Sequence, residues 1–138
     1  MADAPSQRGA PVDRPLSPHL QVYKMTISML MSIIHRITGA ALYFGTLLLA
    51  WWLISAATSP QYFNYVSSWF QTLPGQLIMV GYTWALLHHM LGGLRHFLWD
   101  TGRGFDLGTI DKLSWTTVVL SLAGTAAIWF LVASKGLN

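Results

Sequence analysis

"SMLMSIIHRITGAAL", residues 28–42, sets His35 and Arg36 side by side in a run that is otherwise apolar and helix-forming. An Arg inside a membrane span costs at least about 2.5 kcal/mol on insertion scales, so it must snorkel, pair with an anion or line a wet cavity. At 1.5 Å rise per residue Arg36 lies roughly 12 Å past the start of the span, and snorkelling reaches the interface only with strain. Counting about 100° per residue from Ser32, His35 falls near −60°, Arg36 near +40°, Gly39 near −20° and Tyr43 near +20°. Polar and small residues therefore share one face of the helix. Two readings of that face stand: a strained Arg with His as helix-packing glue, or a surface built around a buried anion or polar ligand.

The rest of the chain makes the membrane setting plain. Of its 138 residues, 53% are hydrophobic and only 9% charged, where soluble domains carry about a quarter charged residues. A span needs about 20 apolar residues, so three spans with short connections use up the length and leave no room for a separate soluble catalytic domain. Uninterrupted apolar content places them at about 27–54, 73–99 and 113–134. The expected fold is an all-α membrane protein, three transmembrane helices in an up-down bundle (27–134) preceded by an irregular N-terminal arm (1–26).

That arm holds four of the six Pro and mixes Asp with Arg, a pattern unlike a signal or transit peptide. "RPLSPHLQVY", residues 14–23, is extended by its X-Pro steps and sits just before the membrane, as plain linker or as a docking strap for a soluble partner. No Asp, Glu, Lys or Arg occurs between Arg36 and Arg95, whereas Arg8, Arg14, Lys24, Arg103 and Lys112 cluster on the other side. The positive-inside bias then puts the N-terminus and the second loop in the cytoplasm and the uncharged loop outside, with Lys135 a single dissenting charge. Tyr62, Phe63, Tyr65, Trp69 and Phe70 in the outer loop, with Trp51, Trp52, Trp99 and Trp115, read as interfacial belts.

Several functions are excluded on composition. With no Cys, thiolate metal sites and cysteine-held clusters are absent from the chain, and His is the remaining soft ligand. The net charge of +3 is spread over span ends without the basic patch that reads as a phosphate footprint, so nucleic acid is not an expected partner. A channel or transporter subunit would need acidic relay residues within the spans. All five acidic residues fall outside them or at the cytoplasmic end.

"HHMLGGLRHFLWD", residues 88–100, is the second dense motif. His89 and His96 are seven apart and lie on one helix face, with Gly92 and Gly93 flanking His89. Bare backbone beside an imidazole makes room for something flat, as a porphyrin edge requires, whereas two His meeting a metal directly on one helix are spaced four apart. His88 points about 100° away and is the weaker ligand. A lone His in a membrane helix is otherwise a hydrogen-bonded packing residue. His89 comes near the depth of His35 and Arg36, with Arg95 and His96 nearer the inner surface, which is where haem propionates would need cations. Only one well-placed axial ligand is present, so a partner chain is expected to supply a second.

Taken together, "RPLSPHLQVY" at 14–23, "SIIHRITG" at 32–39 and "HHMLGGLRH" at 88–96 resemble the cytochrome b family of large membrane anchor subunits of succinate dehydrogenase, respiratory complex II. The likeness covers essentially the whole chain. It implies a haem b shared with a small membrane anchor subunit that gives the second axial His, and a ubiquinone site next to the iron–sulfur subunit, which in turn carries the flavoprotein subunit. Carried over by position, His89 matches the axial haem ligand, Ser32 and Arg36 match the quinone-site residues, and His35 falls where propionate contacts are expected. Gly92, Gly93 and His96 complete the haem pocket. The implied setting is the bacterial inner membrane, and the rival expectation is a haem-free, purely structural anchor.

Cysteines introduced at Ser67 and Thr109 are expected to label from opposite sides of the membrane, Ser67 from outside. Labelling of both from one side would end the three-span topology.

Overall fold

The computed structural model describes residues 24–136, and the readings placed on the N-terminal arm before Lys24, the 14–23 segment included, lie outside it. Four helices follow in order: α1 (Ile27–Thr58), α2 (Pro60–Gln71), α3 (Leu73–Asp100) and α4 (Leu107–Ser134). Among the described residues α1, α3 and α4 are long and apolar enough to cross a membrane, as the all-α, three-span expectation holds. At 1.5 Å per residue, the 32 residues of α1 reach about 48 Å, well beyond a hydrocarbon core of about 30 Å.

Side-chain caps set every start. Thr26, Ser59, Thr72 and Asp106 each accept a hydrogen bond from a backbone N–H three residues on, satisfying donors that the first turn leaves free. Pro60 and Pro74 sit in the first turns of α2 and α3, where the missing N–H costs nothing. The Asp106 cap begins α4 six residues before its apolar run, so exposed Asp111 and Lys112 ride on the helix. Hydrogen bonds from Thr109 hold the Asp106 carboxyl below the usual carboxylate range.

The outer connection differs from the loop expected of it. Residues 60–71 form α2, a 12-residue helix too short to span. Val66 is fully buried, Phe63, Ser67 and Phe70 are half-buried beside it, and Tyr62, Tyr65 and Trp69 face out. The i, i+3, i+4, i+7 spacing of that inner set marks an amphipathic helix of the interfacial kind. Trp51 and Trp52 of α1 pin it, donating their indole N–H groups to Tyr62 Oη at 2.9 Å and Ser67 Oγ at 3.3 Å. Since Ser67 is engaged in this way, exposed Ser68 is the better labelling position.

Burial is inverted relative to a water-soluble bundle. Among the described residues only Met31, Val66 and Ala85 are buried hydrophobics, while Ser55, Thr38, His88, Arg95 and a row of α4 hydroxyls are buried polar groups. Lipid tails are as apolar as Leu, so burying Leu gains nothing, and polar groups hide against one another instead. On α4, Ser114, Thr117, Ser121 and Thr125 form the row facing α3. Each returns its hydroxyl proton to a carbonyl of its own helix, at 2.8–3.0 Å.

The seam between α1 and α3 is made of rings set onto glycines. A Cβ at Gly45 would overlap the Tyr82 ring, one at Gly39 would lie 2.9 Å from His89 Cε1, and one at Gly92 would lie 2.5 Å from His35 Nδ1. Small residues let the helix backbones approach while a flat ring fills the gap.

Gly45→Val is expected to force α1 from α3 at a cost of about 1–3 kcal/mol, lowering the melting temperature of the detergent-solubilised protein. Gly81 meets nothing within 4 Å, and Gly81→Ala is expected to be neutral or stabilising by up to about 1 kcal/mol. Equal melting temperatures for Gly45→Val and wild type would contradict this seam.

Candidate functional site

His35 on α1 and His89 on α3 meet in the α1–α3 seam with their rings stacked, centroids 4.0 Å apart and planes within 4°. Their helices can bring them so close because each ring lies over the other helix's glycine, His35 over Gly92 and His89 over Gly39. His89 Nδ1 is 3.1 Å from the backbone carbonyl oxygen of His35 and 3.3 Å from Thr38 Oγ1. A carbonyl oxygen only accepts, so Nδ1 carries the proton and Nε2 of the neutral ring carries the lone pair. Among the described residues Nε2 has no hydrogen-bond partner, and His35 Nδ1 is buried without one.

His96 extends the cluster toward the end of α3. Its ring is exposed, 5.3 Å from the His35 ring and 5.2 Å edge-on from Trp99. No three His or acidic side chains among the described residues are grouped as a metal site. The stacked pair leaves no gap between its rings for an ion.

His88, one residue before His89, points the other way. It is 2% exposed, with Nδ1 3.3 Å from Ser121 Oγ on α4 and its ring beside Trp84. The helical twist thus sends one imidazole to each neighbouring helix, His89 to α1 and His88 to α4.

Arg95 belongs to the α4 side as well. The sequence grouped it with His96 as an inner cation, but its guanidinium is buried, donates from Nη1 to Ser114 Oγ at 3.2 Å and lies 5.0 Å from the Trp99 ring centre. Its Nε is buried without a partner among the described residues.

The polar face of α1 divides along its length. His35, Thr38 and Gly39 turn toward α3, whereas Ser32, Arg36 and Tyr43 are exposed on the outer surface of the bundle. Among the described residues neither Ser32 nor Arg36 has a side-chain hydrogen bond, and Arg36 has no ion pair. A guanidinium on an apolar span without an anion among the described residues marks a surface completed from outside them. The two glycines of the second motif also part company: Gly92 is filled by His35, while Gly93, one turn after His89, meets nothing within 4 Å. Exposed Met90, Leu94 and Phe97 surround it.

An apolar cavity of about 340 Å³ lies at the other end of the bundle, between α1, α2 and α3, lined by Leu48, Trp52, Phe70, Ile78 and Tyr82 among others. The belt aromatics Trp52 and Phe70 border it, and none of the candidate haem- or quinone-site residues does.

Thr38 was missed by the sequence. It is 1% exposed and touches His89 directly. The available signal was a hydroxyl between His35 and Gly39 inside an apolar span.

The family model of the succinate dehydrogenase/fumarate reductase transmembrane subunit matches residues 11–128. The chain belongs to this family. The succinate dehydrogenase cytochrome b556 subunit of Paracoccus denitrificans is 44% identical over 102 residues, 74% of this chain and 78% of the relative. That of Rickettsia felis is 39% identical over 116 residues, covering 84% and 90%. The mouse mitochondrial succinate dehydrogenase cytochrome b560 subunit is 33% identical over 132 residues, covering 90% and 69%. The family's transmembrane character and the three apolar helices agree on a multi-pass membrane protein.

Haem b is the group that a cytochrome b name implies for those relatives, and the residues here fit it. A haem-ligating His characteristically gives its second ring N–H to a carbonyl or carboxylate, which fixes the tautomer and the ring plane. His89 does so across the α1–α3 seam, and the open backbone at Gly93, one turn on, leaves steric room beside it.

Proposed function

We propose that this chain is the cytochrome b membrane anchor of a succinate:ubiquinone oxidoreductase, binding haem b and ubiquinone and docking the iron–sulfur and flavoprotein subunits. The observation that carries the haem assignment is the His89 Nδ1 hydrogen bond to the His35 carbonyl, which leaves Nε2 as an iron ligand. When bound, the haem supplies a one-electron carrier within the membrane.

This chain's residues then have distinct tasks. His89 would hold the haem iron through Nε2, and Gly93 leaves the approach to it open. His35, Arg36 and His96 offer cationic or donor groups to the propionates. Among the described α3 histidines His89 is the one held by Nδ1 against α1, and a second iron ligand would come from the small anchor subunit. Gly92 acts indirectly, by receiving His35.

Ser32 and Arg36 face outward one helical turn apart, reachable by a molecule held between this chain and its partners. The Ser32 hydroxyl donates to a quinone carbonyl. Arg36 supplies positive charge where negative charge develops on that oxygen, a preorganised electrostatic effect usually worth a few kcal/mol. Neither residue is needed to seal the bundle, since both are exposed. The N-terminus and the α3–α4 loop are assigned to the cytoplasmic side of a bacterial inner membrane by Lys24, Arg103 and Lys112.

A dithionite-reduced minus oxidised spectrum of the complex purified through a tag on this chain is expected to show a b-type α band. His89→Ala is expected to abolish or strongly weaken it, and His88→Ala to keep it at a lower melting temperature, since His88 holds α3 to α4. Absence of the band in wild type would leave a purely structural anchor.

Ser32→Ala is expected to lower ubiquinone turnover or raise the apparent quinone KM by about tenfold, the worth of roughly one hydrogen bond. Succinate oxidation by a soluble dye and the haem spectrum should stay unchanged. Wild-type quinone kinetics in a well-assembled variant would remove Ser32 from the site.

A further inference from the structure

Thr38 has three polar neighbours and only one proton to give. Its hydroxyl oxygen lies 2.9 Å from Ile34 O and 3.0 Å from His35 O, and both carbonyls can only accept. The hydroxyl proton therefore goes to the α1 backbone. The oxygen keeps its lone pairs, and His89 Nδ1 is 3.3 Å from it. With the His35 carbonyl at 3.1 Å, the Nδ1 proton sits between two acceptors belonging to one turn of α1. The next residue, Gly39, holds the ring down: a Cβ there would come within 2.9 Å of His89 Cε1.

This arrangement is more than packing. A methyl group in place of the hydroxyl would fill the same buried volume, and the helix bonds of α1 do not need Thr38 Oγ1. What the hydroxyl adds is an acceptor aimed at one nitrogen of an imidazole on another helix.

We infer that Thr38 is a positioning residue: together with the His35 carbonyl, its oxygen holds the Nδ1 proton of His89 and so sets the direction and donor strength of Nε2 toward a haem iron. The inference rests on the assignment of His89 as axial ligand. Acceptors on the distal N–H raise the basicity of a ligating imidazole. A more basic imidazole favours the ferric over the ferrous state, so an intact Thr38 contact lowers the haem midpoint potential.

The test is a redox titration of the haem in the purified complex, with haem retention through detergent washes measured in parallel. Thr38→Val, which keeps the volume and loses the acceptor, is expected to shift the midpoint to a more positive value and to weaken haem retention by about tenfold, the lower end of the effect seen when outer-shell partners are removed. Thr38→Ser restores the acceptor and is expected to return both quantities to wild type. If Thr38→Val does not assemble, Thr38→Ala reads the same shift.

His89→Ala separates the two levels of the argument. Retention of the haem by His89→Ala overturns the ligand assignment and this inference with it. Loss of haem in His89→Ala, with potential and retention unchanged in Thr38→Val or Thr38→Ala, overturns the inference alone.

Discussion

A lipid surround offers polar groups neither water nor partners, and most of this bundle follows from that constraint. The polar side chains carried by the spans are turned inward wherever another helix can answer them. His88 meets Ser121, Arg95 meets Ser114, and Trp129 donates to Thr83. Large apolar side chains such as Leu47, Leu77, Leu94 and Phe130 face outward, where they lose nothing. The helices can approach closely because glycines sit where rings must pass, and each such glycine is paired with one ring on the facing helix.

Two seams result, and they differ in kind. Between α3 and α4 the contacts are hydroxyl to imidazole and hydroxyl to guanidinium, and the α4 hydroxyls also bond their own backbone. That seam is largely self-contained. Between α1 and α3 the histidines stack on glycines, with Thr38 and a backbone carbonyl holding one imidazole by a single nitrogen. Here Nε2 of His89 and Nδ1 of His35 lack hydrogen-bond partners among the described residues. The two seams thus hold their imidazoles against different partners, His89 through Nδ1 against a backbone carbonyl and Thr38 of α1, His88 through Nδ1 against Ser121 of α4. In the α3–α4 seam Arg95 Nε is likewise buried without a partner among the described residues. The adjacent His88 and His89 owe their different roles to which seam each enters.

The outer surface of α1 adds a third environment. Ser32 and Arg36 stand on it without partners among the described residues, and Gly93 opens the neighbouring stretch of α3. An isolated anchor would hold a cation against lipid at a cost of some kcal/mol, so the surface makes energetic sense as one side of an interface. Family membership agrees, since the relatives are subunits of succinate dehydrogenase.

Length, composition and apolar periodicity were enough to read three spans, because a membrane helix must be apolar over a known distance whatever it packs against. The placement of His89 and His88 on different faces was equally legible, since 100° per residue is a property of the helix alone. α2 was read as a loop because its aromatics look like a belt; only docking against Trp51 and Trp52 singles out the buried set of Phe63, Val66, Ser67 and Phe70. Arg95 and Thr38 were out of reach for a related reason. Helical phase tells which residues share a face, but which neighbouring helix meets that face depends on how the helices assemble. Assembly turned Arg95 away from the histidines to Ser114, and brought Thr38 within hydrogen-bond distance of a nitrogen 51 positions along the chain.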